Sequence, residues 1–509
     1  MRRTVLAVLV FALTASNFGV QAKSAEEIKF IPVTASWLET LNYYRTSSGL
    51  SPVTEDAKFS EDVKSHTDYL AKTDESFFTG TYQNRHTENP ASPFYKGRGL
   101  FSNLASSRDP NPSLFIDQWI QAPFHAIGML REGLKSAGMG VSLNEKTGYF
   151  EAGLDIGQGL KNVGRSKDIL YPGDGAYSRL NRFMGESPDP RESCGSDWEK
   201  YRGLPVFVSL VANPPQKMSA TITQPSGKEF SSGNDLCIVN EHTFVTSNKI
   251  YGPAGKSIVD AENMVLLIAK EPLEAGINRV SLKMDGRPDK NWSFTVIPEP
   301  EEVTFSYSAR DLSVTWKAGT VAAPNQITGY QVSFSDENWK NSKLFTTDKL
   351  EFDASFLPDG KYLYCVTAIG KYNSGNCTGF YTVKINHEIS KNPVNIYYPY
   401  TVKGNSKLIL PKSKVTITFN TSKNTTASTS TPQICTTKVM SAKVIVSANK
   451  VGICSVDIND PGAKTMEAVD LHYDFPVITL SRATCKKGNK TLITSGYPAT
   501  CPSGYKKTA

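Results

Sequence analysis

Eight cysteines constrain this chain more than any other feature, because they come as four pairs of near neighbours: Cys194 with Cys237, Cys365 with Cys377, Cys435 with Cys454, and Cys485 with Cys501. Pairs this local close small loops, so the chain is expected to fold as a series of modules stapled by disulfides in an oxidising compartment. None of the eight has the paired short spacing of a zinc-thiolate site. The start of the chain agrees with that compartment. MRRTVLAVLVFALTASNFGVQA carries two arginines, an apolar run from Val5 to Leu13 and a small-residue cleavage site at Val20-Gln21-Ala22, which reads as a secretory signal peptide over residues 1–22. No later stretch approaches the ~20 apolar residues that spanning a bilayer needs, so no transmembrane segment is expected after signal removal. The expected location is extracellular, with attachment to a cell wall left open.

A chain of 509 residues is too long for one core. Residues 35–140 carry helical patterns, whereas from about 200 onward apolar and polar residues alternate in short runs broken by Gly, Pro, Asn and Ser. That contrast predicts a mixed α/β head followed by β modules. Proline-rich joints fall at Pro188-Asp189-Pro190 and Pro298-Glu299-Pro300, with a softer break near Lys391-Asn392-Pro393, and the run TSKNTTASTSTP from Thr421 to Pro432 reads as a solvated loop. The formal charge is +7, and Arg482, Lys486, Lys487, Lys490, Lys506 and Lys507 supply +6 of it in a tail with no acidic residue. Such a tail suits an anionic cell-surface polymer at least as well as nucleic acid, and no nucleic-acid partner is expected. A solubilising end is the other reading.

Three helical segments place the histidines. The first, SWLETLNYYRTSSGL, has Ser36 as a cap and Trp37, Leu41 and Tyr44 on one face before Gly49 stops it. In the second, from about Glu55 to Lys72, His66 fills the gap in the stripe of Phe59, Val63 and Leu70 and so points inward. The third runs from Pro112 to Ala122 and ends at Pro123, just before Phe124-His125-Ala126. An inward histidine alone is more often a hydrogen-bonded core residue than a ligand. With His86 in the polar stretch NRHTENP, three histidines in one head tilt the reading toward a shared cleft.

The order of LNYYRTSSGLSPV, a helix containing His66, HTENPASPFY, SNLAS, DQWIQAPFHAIGML and SAGMGVSL resembles the CAP superfamily of secreted proteins, over about residues 28–160. The resemblance implies an α-β-α sandwich with a central cleft lined by two histidines and two acidic residues. Its first histidine falls on His86 and its second on His125. The Gly-Glu-Asn motif of the family falls on Phe101-Ser102-Asn103, so its glutamate is Ser102 here, and the acidic residue three positions after the helix tryptophan is Ala122. The full tetrad is therefore absent. His66 and Glu88 look like local substitutes, as in bacterial members that read H…HTE, and YPGDGAYSRLNRFMGESPDP also resembles that bacterial branch.

In an extended segment residues i and i+2 project to one side, so His86 and Glu88 are expected to face one cavity. Two or three neutral imidazoles and a carboxylate suit Zn²⁺: His86 and His125 as ligands, with His66 joining them or Glu88 acting as a further ligand or from behind a histidine. The alternative leaves Glu88 and Arg85 as solvated loop charges. Ser102 is the one nucleophile the alignment suggests; no nucleophile-elbow glycines surround it, and a metal-activated water with Glu88 as base is the other chemical route. The constellation is not that of a complete enzyme site, and the enzyme question stays open with a leaning toward none. The expected cleft residues are His66, His86, Glu88, Ser102, Asn103 and His125, around a lipid, glycan or protein ligand.

Farther along, LSVTW from Leu312, ITGYQV from Ile327 and the run from Leu357 to Ala368 resemble strands of a fibronectin type III domain; Cys365, opposite in face to Tyr364 and Val366, is expected on the outer side of a hairpin around Lys371-Tyr372-Asn373. The whole reads as α+β: a signal peptide at 1–22, a CAP-like α-β-α head at 28–165, an immunoglobulin-like β-sandwich at 186–298, a fibronectin type III-like domain at 299–390, a further β-sandwich at 392–479, and a short disulfide-closed basic tail at 480–509. The functional expectation is a secreted, multidomain bacterial CAP-domain protein whose head binds a ligand or divalent metal at or near the cell surface. A secreted hydrolase of envelope or environmental polymer, and an adhesin whose cleft is only structural, are the alternatives.

Overall fold

The computed structural model describes residues 30–98, 101–337, 342–377, 380–398, 409–421, 424–496 and 499–508; the signal-peptide reading at 1–22 lies outside them. Helix α1 (Trp37–Ser47) begins where the Ser36 hydroxyl accepts from the Glu39 N–H while the Glu39 carboxylate accepts from the Ser36 N–H, which satisfies two donors that a helix end otherwise leaves open. Asp56 caps α2 (Ala57–Lys72) and Asn111 caps α3 (Pro112–Ile120), while α4 (Pro123–Met129) opens on a proline. Each start is a sequence-local device.

Four strands, β1 (Thr54–Glu55), β2 (Ser102–Ser107), β3 (Ser136–Asn144) and β4 (Tyr149–Asp155), form a sheet in the order β1-β3-β4-β2. The alternation along SAGMGVSL divides the two faces of β3. Ala137 and Met139 join the core with Leu41, Tyr44, Phe115 and Trp119 from α1 and α3. Gly138 and Gly140 face α2 instead, where a Cβ would stand 2.2 Å from the Ser60 nitrogen and 2.5 Å from the Lys64 Cα. Only glycine lets the helix lie that close to the strand, so the head is a three-layer α-β-α sandwich. Buried Arg45 fastens the α4 end by donating to the carbonyls of Met129 at 2.6 Å, Arg131 at 3.0 Å and Leu134 at 3.1 Å.

The next module is two sheets. One contains Ile169–Tyr171, Val206–Ser209, Leu236–Val239 and Met264–Ala269; the other contains Tyr177–Ser178, Met218–Thr223, Glu229–Ser231, Gly276–Met284 and Lys290–Val296. It therefore starts before 186, because Ile169–Tyr171 pairs with Tyr171↔Phe207 and its neighbours, and Tyr177–Ser178 pairs with Thr295 and Val296. Pro188-Asp189-Pro190, expected as a joint between domains, therefore lies inside this module. Asp189 holds the buried Arg191 and caps the short 3-10 turn Pro190–Cys194. Every residue of MVLLIA in Met264–Ala269 is buried. Val265, Leu267 and Ala269 pack inside the module, while Met264, Leu266 and Ile268 pack into the core of the head. A strand buried on both faces has to be continuously apolar, as this one is.

Residues 305–385 form sheets of three and four strands, with Val332, Phe334, Tyr364 and Val366 between them; this is a fibronectin type III-like sandwich. Cys365 lies on the face opposite Tyr364 and Val366 but is covered, being 2% exposed. Residues 395–477 form a second sandwich of four and three strands. Within it Thr426–Thr429 pairs with Val456–Asn459, so part of the Ser/Thr run is a strand and not a loop; β-branched threonines fit a half-covered sheet face. The last described segment is a small sheet of Ser481–Lys487, Lys490–Gly496 and Lys506–Thr508. Disulfides join Cys194 to Cys237, Cys365 to Cys377, Cys435 to Cys454 and Cys485 to Cys501. No helix among the described residues is long and apolar enough to cross a membrane.

Since Ile268 belongs to the core of the head although it sits in the next module, Ile268→Ala is expected to cost ~2–5 kcal/mol. Calorimetry of the full chain is expected to lower one transition that contains both units, while the transitions of the later sandwiches stay in place.

Candidate functional site

The NRHTENP stretch is not extended. The Thr87 N–H donates to the Asn84 carbonyl at 2.9 Å and the His86 N–H to the Asn84 side chain at 3.0 Å, so the chain turns at His86. The turn sends His86 and Glu88 in different directions, which overturns the i, i+2 expectation. Glu88 points back at helix α2, where its Oε1 lies 2.8 Å from His66 Nδ1, and its Oε2 accepts the N–H groups of Lys96 at 2.5 Å and Gly97 at 2.6 Å. Burial pushes the Glu88 carboxyl up, but the hydrogen bonds from His66, Lys96 and Gly97 outweigh it and hold the group below its usual range.

His66 is fully buried, and its second nitrogen, Nε2, lies 3.0 Å from the Arg85 carbonyl. Both ring nitrogens are thus engaged, one by the Glu88 carboxylate and one by the Arg85 carbonyl, and neither faces the cavity where a metal would have to sit. His66 and Glu88 thus form a buried clamp behind the loop. The Asn89 N–H donates to the Tyr69 hydroxyl at 2.9 Å and tightens the same clamp.

What the clamp positions is His86, one wall of a cavity of about 650 Å³ that also contains His125, Trp119, Gln121, Ala122, Tyr149, Glu151 and Glu186. Burial, and then the neighbouring His125 and His66, push the His86 imidazole down to about 4, against a hydrogen bond to the Ser102 backbone. His86 is therefore neutral at physiological pH. Ser102 and Asn103 are buried, and they act on the histidines from behind: Ser102 through that backbone bond, Asn103 by donating its Nδ2 to the His125 carbonyl at 3.1 Å. Neither they nor His66 and Glu88 line the cavity.

His125, in the first turn of α4, directs Nδ1 at Glu186 Oε2 across 2.9 Å. Glu186, whose side chain is 1% exposed, also accepts the Phe124 N–H at 3.2 Å, at the open N-terminal end of the same helix. Burial raises the Glu186 carboxyl, and the His125 contact draws it back toward ionisation. Sequence reasoning missed this residue because it lies 61 positions from its partner in the block that follows the head. The visible signal was Ala122, a cavity wall position where the family pattern has an acid. Glu186 brings a carboxylate to that cleft from a remote loop.

Two more carboxylates stand in the wall. Glu151, raised by burial, accepts from the Ser106 hydroxyl at 2.7 Å, its cross-strand neighbour. Glu75 pairs with Arg85 at 2.7 Å, and the Arg85 guanidinium lies 3.7 Å over the Phe78 ring. Tyr251, from the next module, closes one side: its hydroxyl accepts the Arg85 N–H at 3.1 Å, and its ring meets His86 edge-on at 6.2 Å. A three-ligand zinc centre does not fit these residues. His66 and Glu88 are consumed by each other, and no group of three His, Cys, Asp or Glu among the described residues is placed to hold a metal ion.

A three-layer head with two histidines facing one cleft defines the class of fold. Residues 38–154 match the model of the CAP, or cysteine-rich secretory protein, family. No curated protein matches the chain. Among solved structures it is similar to the chicken CNTN1 FN1-FN3 domains, at 11% identity over 54% of this chain and 94% of that one, with a TM-score of 0.23. It is also similar to titin domains A168-A170, at 13% identity over 47% of this chain and 79% of that one, with a TM-score of 0.18.

Because His86 has a folded value near 4 against an ordinary 6.5, it favours folding above about pH 6.5, and that contribution is lost as pH falls through about 4. Denaturant titrations at pH 7 and pH 4 are expected to show the native chain losing roughly 3 kcal/mol more than a His86→Gln variant.

Proposed function

We propose that this is a secreted, multidomain protein whose head cleft binds a saccharide, with the β modules carrying the head as a spacer. The observation that carries this reading is the His125–Glu186 pair beside neutral His86, in a cavity whose wall is polar and apolar in about equal parts. Carboxylates, imidazoles and the side-chain amides of Gln118, Gln121 and Asn144 match ligand hydroxyls in number and reach, and the Tyr149, Tyr251 and Trp119 rings give apolar faces on which a sugar ring can lie. A sterol or lipid tail would leave these polar groups desolvated without partners, at ~1–3 kcal/mol for each. An even mixture of polar groups and ring faces therefore favours the glycan over the lipid, and the volume lies within the range of small-ligand sites.

Covalent hydrolysis has less support. A base held by an orienter is present in His125 and Glu186, but the Ser106 hydroxyl is committed to Glu151 and all eight cysteines are in disulfides. Calorimetric titration of the full chain with neutral oligosaccharides, with and without N-acetyl groups, tests the binding reading. Saturable binding is expected, weakened about 10- to 100-fold by His125→Ala or Glu186→Gln. Failure of every saccharide to bind, or binding indifferent to both substitutions, would overturn it.

A further inference from the structure

The tail, which carries most of the net charge, folds into a sheet whose two faces differ. In Ser481–Lys487 the buried Ala483 and Cys485 face a small core with Ala499, Cys501 and Tyr505, so Arg482, Thr484 and Lys486 face outward. The register puts Lys486 opposite Thr491 on one side and Lys506 on the other, and Thr484 opposite Ile493 and Thr508. One open face therefore presents Arg482, Lys486 and Lys506 among the hydroxyls of Thr484, Thr491, Ser495 and Thr508. Lys487 and Lys490 pair across the hairpin at its rim.

Like charges directly opposite on a sheet destabilise it. Yet Lys486 lies opposite Lys506, Lys487 lies opposite Lys490, and no Asp or Glu occurs from 480 to 509 to relieve them. The fold does not rest on these lysines, since the Cys485–Cys501 disulfide closes the sheet from the other face. The uncompensated charge is thus available to an external anion.

We infer that this sheet binds a linear polymer of phosphodiester-linked units, of the polyol-phosphate kind, independently of the cleft in the head. Lysine and arginine with interleaved Ser and Thr hydroxyls are the side chains that contact phosphate oxygens. Strands about 4.8 Å apart set the lysine rows at a spacing that lets one chain of phosphates cross several of them. Among the described residues the open face carries no aromatic ring on which a nucleic-acid base could stack. Its one large apolar side chain among the described residues, Ile493 at 63% exposure, is too little to anchor a lipid surface.

The test uses the full chain with polyglycerol phosphate, and with polyglutamate, single-stranded DNA and phosphatidylglycerol vesicles as the other arms. Polyglycerol phosphate is expected to bind more tightly than the other three, with affinity falling as salt rises. Lys486→Gln with Lys506→Gln is expected to weaken it about tenfold at moderate salt and to reduce the slope of log affinity against log salt by roughly 1 to 2. Lys438→Gln with Lys450→Gln, exposed lysines of the preceding sandwich, serves as the charge-matched control and is expected to change neither. A second variant, Arg482→Gln with Lys490→Gln, leaves the Lys486–Lys506 pair in place and is expected to weaken binding similarly. Unchanged thermal melting and an intact Cys485–Cys501 linkage in mass mapping are expected for both tail variants. Equal or tighter binding of polyglutamate, DNA or vesicles, no binding of polyglycerol phosphate, or equal losses in the control would overturn the inference.

Discussion

The strand Met264–Ala269 sets the relation on which the rest of the front half depends. Its odd positions pack into its own sandwich and its even positions into the head, so two units that would otherwise be hinged share one apolar core. Burial of that kind is non-directional, but it removes solvent from the boundary and so makes polar contacts across it count for more. Arg179, which directly follows the Tyr177–Ser178 strand of the second module, donates at 2.9 Å to Asp117 of α3, which also accepts from the Tyr44 hydroxyl of α1 at 2.7 Å. Asn373 of the fibronectin-like sandwich accepts at 2.6 Å from Asn325, and its own amide reaches the Arg179 carbonyl at 3.4 Å. A chain of buried polar groups thus continues the docking from the head to the third unit.

That docking explains how the cleft is assembled. Glu186 and Tyr251 come from sequence beyond the head, and each is useful to the site only because the shared core holds the two units in one arrangement. The pairing of Glu186 with His125 has the form of a base held by a carboxylate, with the further effect that the carboxylate covers an N–H at the start of α4. His86, by contrast, is kept uncharged by burial and by the neighbouring His125 and His66, against a backbone bond at Ser102. The two histidines share a cavity but differ in electrostatic setting, because one has an acid and the other does not.

The His66–Glu88 pair shows the same chemistry used for architecture. A buried histidine and carboxylate look like site residues by type, yet every polar atom they offer is matched within the loop: the Arg85 carbonyl, and the N–H groups of Lys96 and Gly97. A buried pair whose polar atoms all find partners in one loop conformation would leave them unsatisfied in another. Here the satisfied conformation is the turn that aims His86 at the cavity.

Local devices were legible in the sequence. The cap at Ser36, the alternation of the later strands, and the nearness of the cysteines each act over a few residues, and so the order of a mixed head, β modules and a basic end could be read directly. His86 and His125 could be placed in a cleft because motif order carried them there. His66 points inward as its place in the helical stripe requires, but its partner and the direction of Glu88 could not be read, since one turn at Asn84–Thr87 reverses what an extended segment would do. Nor could Glu186, whose partner lies 61 positions away, or the boundary before 186, where Ile169–Tyr171 already belongs to the next sheet. Residue type and short-range periodicity follow from the chain itself; which carboxylate meets which histidine is decided only when distant segments are brought together by burial.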